Sequence, residues 1–454
     1  MKTRHAFVVD VNKCTGCDAC TVACQIANQL PAEIQWREVR TFNELHVPAV
    51  EMIDLSMACN HCHDAPCMQQ CPALAYHRDD ETGAVLINAE ACIGCGYCVW
   101  VCPYGAPRID TDKGVMTKCN MCNDKVLAGG QPACVTSCPT GALAWRQLPD
   151  AELTQDVPGF ADTGTDPSIR IDGVQSDRRV PEMTTPPSLP PWQRLRAQLP
   201  SQVTLAHEWT LAVFTLLAAI LVGALTANQW GGATLDWRLF LGAGTMGMAM
   251  SASHLGQRLR AWRAPLHAHE SWLSREIVLF SAFLGLGTLV LAVPSLPGWL
   301  GYANVALGGV ALLAIDRVYG AAEIRGAGPV HSAHVLGTGL LLAAVGTGVE
   351  LVVVTMALVK LVLFVARQSA RGQLELAAST GLIVPRVGFL LAGVGWLLLG
   401  EAENSHLAAY AMIVAGEAID RCTYYNELDI PTPNSRQFDE LERRPEAQGI
   451  FAEN

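Results

Sequence analysis

The sequence predicts an α+β head followed by an all-α polytopic membrane bundle of eight helices, and three observations predict it. Sixteen of the 17 cysteines lie between Cys14 and Cys138. Half of the residues are hydrophobic and only 16% are charged, a balance unlike that of an ordinary soluble chain. Long apolar runs such as LAVFTLLAAILVGALTA and VLGTGLLLAAVG all lie after residue 204. The formal charge of -11, from 31 basic and 42 acidic residues, removes the electrostatic basis for nucleic-acid binding, which needs a clustered basic face. No cleavable signal and no twin-arginine pair leading into an apolar stretch opens the chain, so export of the head is expected only if a partner carries it.

Residues 1–145 form the head, with strand-like pieces FVVDV before the first cysteine motif and AVLINAEA before the third. The motifs are CTGCDACTVAC (Cys14, Cys17, Cys20, Cys24), CNHCHDAPCMQQCP (Cys59, Cys62, Cys67, Cys71), CIGCGYCVWVCP (Cys92, Cys95, Cys98, Cys102) and CNMCNDKVLAGGQPACVTSCP (Cys119, Cys122, Cys134, Cys138). The first and third have the C-x2-C-x2-C-x3-C spacing with which three thiolates of one loop bind an iron–sulfur cubane while the fourth reaches a neighbouring one. The x2 steps keep successive sulfurs on one tight loop, and the x3 step carries the last onto a short helix. Proline after Cys71, Cys102 and Cys138 ends each turn. Zinc ribbons need only four ligands each and leave the repeated third cysteine unexplained; disulfide frameworks belong to short secreted scaffolds. Sixteen ligands therefore predict four [4Fe-4S] clusters in an α+β double ferredoxin-like iron–sulfur domain. Cys422 stands outside every motif and reads as an inert buried thiol.

Residues 146–203 carry nine prolines, from Pro149 to Pro200, and predict an extended linker lying along a partner. Residues 204–422 follow as the anchor, with apolar segments at 204–226, 238–256, 276–293, 299–319, 331–346, 349–366, 380–399 and 405–421. Each can span a hydrocarbon core of about 30 Å, and the GTG before Val349 divides the fifth from the sixth. A polar tail, 423–454, closes the chain. Arg194, Arg196, Arg258, Arg260, Arg263, Arg275, Arg317, Arg325, Arg367, Arg371, Arg421 and Arg436 gather on the side of the termini, while ANQWGGATLD, PSLPG and GEAENS hold no Lys or Arg. The positive-inside rule then predicts an inner-membrane protein with its head in the cytoplasm.

Ionisable residues collect at the helix ends on that side: His207, Glu208, His254, Arg275, Glu276, Asp316, Arg317, His331, His334, Arg386, Glu417 and Arg421. Charges at membrane depth are costly and mark function by default, although snorkelling arginines and interface ion pairs account for many. A quinone site among them would use His254 or Glu276 to exchange protons and Arg258 or Arg275 to steady a reduced oxygen, with His207 and Glu208 beside it. Haem b would need two facing axial histidines, and His254 and His334 lie too near the segment ends for that.

The four motifs in this order, with the insertion between the middle cysteines of the last, resemble the four-cluster electron-transfer subunit of the dimethyl sulfoxide reductase family of molybdenum enzymes. HEWTLAVFT, HLGQRLRAW leading to SWLSREI, and GEAIDRCTYY resemble the matching eight-helix anchor subunit, so nearly the whole chain reads as a fusion of two subunits. The resemblance implies that Cys14, Cys17, Cys20 and Cys138 hold one cluster and Cys24, Cys119, Cys122 and Cys134 its neighbour. It implies a third on Cys59, Cys62, Cys67 and Cys102 and a fourth on Cys71, Cys92, Cys95 and Cys98. It also implies a separate catalytic subunit carrying bis-molybdopterin guanine dinucleotide, membrane quinone or quinol as the other redox partner, and room for a higher oligomer. A cytoplasmic head resembles the quinone-linked sulfite dehydrogenases; a periplasmic one would suit a quinol-driven reductase of dimethyl sulfoxide or a related acceptor. A membrane-tethered ferredoxin without a catalytic partner is the reading from another class.

Overall fold

The computed structural model describes residues 3–44, 50–155, 157–158, 160, 163–174, 205–320, 331–369, 373–399, 405–428, 430 and 432–444. They fall into two compact units, 1–200 with 431–454, and 201–430.

In the first unit the chain runs β1 (Thr3–Asp10), α1 (Ala19–Ala27), β2 (Glu38–Phe42), β3 (Ile53–Met57), α2 (Pro66–Gln69), β4 (Tyr76–Arg78), β5 (Val85–Ile87), α3 (Tyr97–Val101), β6 (Arg108–Asp110), β7 (Val115–Thr117), α4 (Asn123–Leu127), α5 (Ala133–Thr136), β8 (Leu143–Pro149) and β9 (Ile169–Asp172). β1 is central in a three-stranded sheet, antiparallel to β8 with Val9 opposite Leu143, and parallel to β9. Three antiparallel hairpins, β2–β3, β4–β5 and β6–β7, complete the strands. The pairings decide which cysteines meet. Asp10 N donates to Ala142 O at 2.8 Å, which sets the loop after β1, with Cys14, beside the turn before β8, with Cys138. Asn88 N donates to Ala75 O at 2.7 Å and does the same for Cys71 and Cys92.

The linker expected over 146–203 begins later than the prolines suggest. Strand β8 continues to Pro149, and Ile169 and Ile171 of β9 are buried against β1. Arg4 clasps Asp150 and Asp166 at 2.7 Å each, and Tyr104 Oη lies 2.9 Å from Thr165 Oγ1. A short alternating strand, SIRID, outweighs the surrounding prolines because it fills an open sheet edge. Residues 175–204, with Arg194 and Arg196, lie outside the described residues.

The second unit is helical: α6 (Leu205–Trp230), α7 (Trp237–Ser253), α8 (Trp272–Ala292), α9 (Trp299–Gly320), α10 (Val335–Thr347), α11 (Glu350–Ser369), α12 (Gln373–Leu399) and α13 (Ser405–Glu427), with a 3-10 stretch, Arg258–His267, between α7 and α8. Among the described residues four spans, Leu205–Trp230, Trp272–Ala292, Trp299–Gly320 and Leu382–Leu399, are long and apolar enough to cross a membrane; Val335–Thr347 is apolar but shorter. Gly348, at φ +71, caps α10 and separates it from α11. Small residues carry the α6–α10 contact: a Cβ on Gly346 would lie 2.6 Å from Ala227 Cβ, and one on Gly223 2.9 Å from Leu342 Cβ. Arg325 and Arg371 lie outside the described residues.

The expected polar tail is partly helical. α13 runs on to Glu427, and α14 (Pro433–Arg443) returns to the first unit, opened by a capping box of Thr432 and Ser435. There Leu441 joins the head's apolar core and Arg444 pairs with Glu51 at 3.4 Å.

Candidate functional site

The first C-x2-C step of each motif folds the same way. The residue just before the second cysteine has a left-handed backbone in all four motifs: Gly16 (φ +67), His61 (φ +44), Gly94 (φ +67) and Met121 (φ +64). Glycine takes that conformation freely; His61 and Met121 take it against a steric preference. The turn aims the N–H of that residue at the first thiol. His61 N lies 3.5 Å from Cys59 Sγ, Gly94 N 3.4 Å from Cys92 Sγ and Met121 N 3.4 Å from Cys119 Sγ. The two motifs of looser spacing thus carry the same local geometry as the two regular ones.

The thiols then gather in fours. Cys14, Cys17, Cys20 and Cys138 line one pocket with an empty volume of about 350 Å³, and Cys59, Cys62, Cys67 and Cys102 line another of about 330 Å³. The remaining eight make two further neighbourhoods. Cys24 feels the charges of Cys134 and Cys122, and Cys119 those of Cys24, Cys59 and Cys134. Cys95 feels Cys71 and Cys92, and Cys98 feels Cys95, Cys67 and Cys71, so Cys119 and Cys98 each also lie near the Cys59–Cys102 group. Burial, then mutual thiolate repulsion, pushes Cys24, Cys62 and Cys95 up to about 12. Cys138 differs: hydrogen bonds from Thr140, Leu143 and Ala142 outweigh its burial and hold it below the usual thiol range. Four converging sulfurs, pinned by backbone N–H groups and costly to ionise without a cation, fit an iron–sulfur cubane. Such a cluster, when bound, supplies storage for one electron.

Three buried residues that the motifs do not reveal stand among these sulfurs. Arg37, 2% exposed, reaches Ser56 Oγ at 3.0 Å and lies within hydrogen-bonding reach of Cys134 Sγ. Lys118, 4% exposed, donates to Cys119 O at 3.1 Å and to Val85 O. His61, 1% exposed, accepts from Val85 N at 2.9 Å, and its burial followed by the charges of Lys118 and Arg78 keep its imidazole neutral. A basic residue at the end of a strand or within a cysteine pair looks like an ordinary surface residue in sequence, which is why only the folded chain picks these out.

In the helical unit the expected quinone residues separate into two groups. Glu276 is buried, and Glu208 buries Oε2 without a hydrogen-bond partner among the described residues. Both carboxylates act on Tyr425, whose hydroxyl meets that of Tyr319. The arginines, by contrast, serve the α7–α8 connection: Arg258 donates to Ser253 O at 2.9 Å, and Arg275 to Ala268 O at 2.9 Å and to His269 O, over the Trp272 ring. His254 caps α7, half-buried, and His207 is exposed. His334 pairs with Asp316 at 3.2 Å and stacks on His331, and Asp316 also accepts from Val335 N and Leu336 N, so this group caps α10.

Arg386, Glu417 and Arg421 sit in a buried ionic network whose other members the sequence does not advertise. Lys360 pairs with Glu417 at 2.7 Å; Arg367 pairs with Asp420 at 2.7 Å and Glu427 at 2.9 Å; Arg386 reaches Asp420 at 3.3 Å. Lys360, Arg386, Glu417 and Asp420 are each at most 3% exposed. Lys360 interrupts the run LVVVTMALVKLVLFV, which is the signal that could have found it. Cys422 is half-buried, more open than an inert core thiol.

Comparison with known proteins agrees with both halves. Residues 50–148 match the 4Fe-4S dicluster domain family, and residues 232–323 match the DMSO reductase anchor subunit family. The chain is 39% identical to the probable anaerobic dimethyl sulfoxide reductase chain YnfG of Escherichia coli over 34% of its own length and 78% of that protein's. It is 38% identical to the thiosulfate reductase electron transfer subunit PhsB of Salmonella typhi, over 34% and 81% of the two chains. With a sulfite dehydrogenase subunit of Allochromatium vinosum it shares 33% identity, over 34% and 73%. With cysteine sets of this geometry in its head and an anchor domain behind them, the chain belongs to the family of iron–sulfur electron-transfer subunits of dimethyl sulfoxide reductase type, joined here in one polypeptide to the family's membrane anchor.

Proposed function

We propose that the chain relays single electrons through four [4Fe-4S] clusters between a molybdopterin-containing catalytic subunit and the membrane quinone pool, and performs no substrate chemistry itself. The observation that carries this reading is the set of four converging thiol groups in a head that is covalently continuous with an anchor domain. In this reading Cys14, Cys17, Cys20 and Cys138 hold the cluster nearest the catalytic subunit. All eight helices of the second unit cross the bilayer, with the buried ion pairs around Glu417 and Asp420 satisfying the charges of α11, α12 and α13.

At the quinone end, Glu276 and Glu208 exchange protons with the reacting quinone around the Tyr319–Tyr425 pair, and His254 contributes from the end of α7. Arg258 and Arg275 hold the connection that frames the site. The arginines of the α7–α8 connection support, by the positive-inside rule, the reading of a cytoplasmic head; Arg238, in the first turn of α7, stands against the asymmetry. A cytoplasmic head favours sulfite oxidation with quinone reduction.

A second reading rests on relatives named as dimethyl sulfoxide reductase chains: the same relay run from quinol to a reducible acceptor. Membrane vesicles holding the complex separate the two. Sulfite-dependent quinone reduction supports the first, and quinol-dependent reduction of dimethyl sulfoxide without sulfite activity replaces it with the second.

A further inference from the structure

Among the described residues of the head Arg37 is the most buried cation. It is 2% exposed, its guanidinium carbon stands 4.6 Å over the Phe7 ring, and its Nε is buried without a hydrogen-bond partner. Among the described residues no carboxylate pairs with it. A buried charge of this kind is tolerated only when opposite charge lies close by. The groups near it that carry negative charge once a cluster is bound are Cys134, Cys119, Cys20 and Cys24. Three of these belong to one ligand set; Cys20 belongs to another. The two sets are neighbours because α1 carries both Cys20 and Cys24, one turn apart. Arg37 also touches the Cys20 set through a relay: it donates to Ser56 Oγ at 3.0 Å, which leaves the hydroxyl proton for Cys20 Sγ at 3.2 Å.

We infer that Arg37 sets the reduction potentials of the two clusters held by the Cys14–Cys138 and Cys24–Cys134 ligand sets, raising both and weakening the repulsion between them when both are reduced. The inference rests on the ligand assignment proposed above. A cubane held by four thiolates is an anion, and taking up one electron adds one negative charge with no bond made or broken. A fixed cation without a competing carboxylate favours that reduced form. Placed between two sets, it acts on both, and it has no counterpart of the same kind among the described residues around Cys71, Cys92, Cys95 and Cys98.

The test is a potentiometric titration of the full-length purified chain, followed by electron paramagnetic resonance, with iron and sulfide analysis of each preparation. In Arg37→Gln two of the four components should titrate at lower potential, with the reduced-to-oxidised ratio at the wild-type midpoint falling about tenfold, equivalent to about 59 mV for one electron. The other two should stay in place, and Arg37→Lys should restore most of the shift. Four unchanged midpoints with full iron content would overturn the inference. If Arg37→Gln does not retain its iron, Ser56→Ala decides: it leaves the cation but removes the donor to Cys20 Sγ, so one midpoint should fall by a smaller amount, and an unmoved one overturns the inference. A wild-type chain whose iron falls short of four clusters would instead overturn the ligand assignment, an outcome the iron analysis reads separately.

Discussion

A single thiol removed from one set should empty that set and spare the rest, because each pocket is closed by residues brought from two motifs. Cys67→Ser is expected to lower the iron content by about a quarter, one cubane of four, with the other signals intact. Iron analysis with resonance spectra checks this, and uniform loss across all signals would speak against independent sets. The thiols also give a sign for pH. In a chain stripped of iron, Cys24, Cys62 and Cys95 are raised by burial from about 9 to about 12. The folded state then holds protons that the unfolded state releases, so stability is full below about pH 9 and is lost as pH rises toward about 12. Thermal melts of stripped and loaded chain should diverge over that window, since iron holds the thiolates of the loaded form. At this scale the cysteines that gather in fours were legible in the sequence, because their spacing is written directly in residue types and intervals. Arg37 and Lys118 were not, because what sets them apart is burial among particular partners; Lys360 left one trace, a charge inside an apolar run. Lys360 carries its own prediction. Lys360→Met strands Glu417 in an apolar interior and should destabilise the helical unit by about 3–5 kcal/mol, and adding Glu417→Gln should recover part of that loss, both read from thermal unfolding.

Elements were legible where one signal dominated. The apolar runs place helices within a few residues of α6, α8 and α9, and the Gly-Thr-Gly step marks the break at Gly348. They were illegible where tertiary pairing decided: β9 forms from four residues inside a proline-rich stretch because the edge of β1 is open, and α14 forms in the tail because Leu441 has a core to enter. The close approach of α6 and α10 depends on glycine at positions the apolar pattern treats as interchangeable. Gly346→Leu would drive its side chain into Ala227 and should destabilise the helical unit by about 1–3 kcal/mol, whereas Gly285→Ala, which meets nothing within 4 Å, should be nearly silent. Comparable losses from both substitutions, measured by unfolding in detergent, would mean that the two helices do not pack as described.

For the whole molecule, the fusion places an iron–sulfur electron-transfer domain and a membrane anchor on one chain, and the proposed relay depends on the two being electrically continuous. Orientation is a separate matter: the head should be cut by protease in inverted vesicles and protected in right-side-out ones if it faces the cytoplasm. Continuity is more central, and one measurement reads it. The purified full-length chain, with its iron counted, is mixed anaerobically with a low-potential quinol, and cluster reduction is followed by resonance spectroscopy. About sixteen iron atoms per chain are expected, with reduction of the higher-potential clusters by the quinol, abolished in Glu276→Gln with iron content unchanged. Iron for fewer than four clusters, or clusters reduced by dithionite yet unresponsive to any quinol, would contradict it.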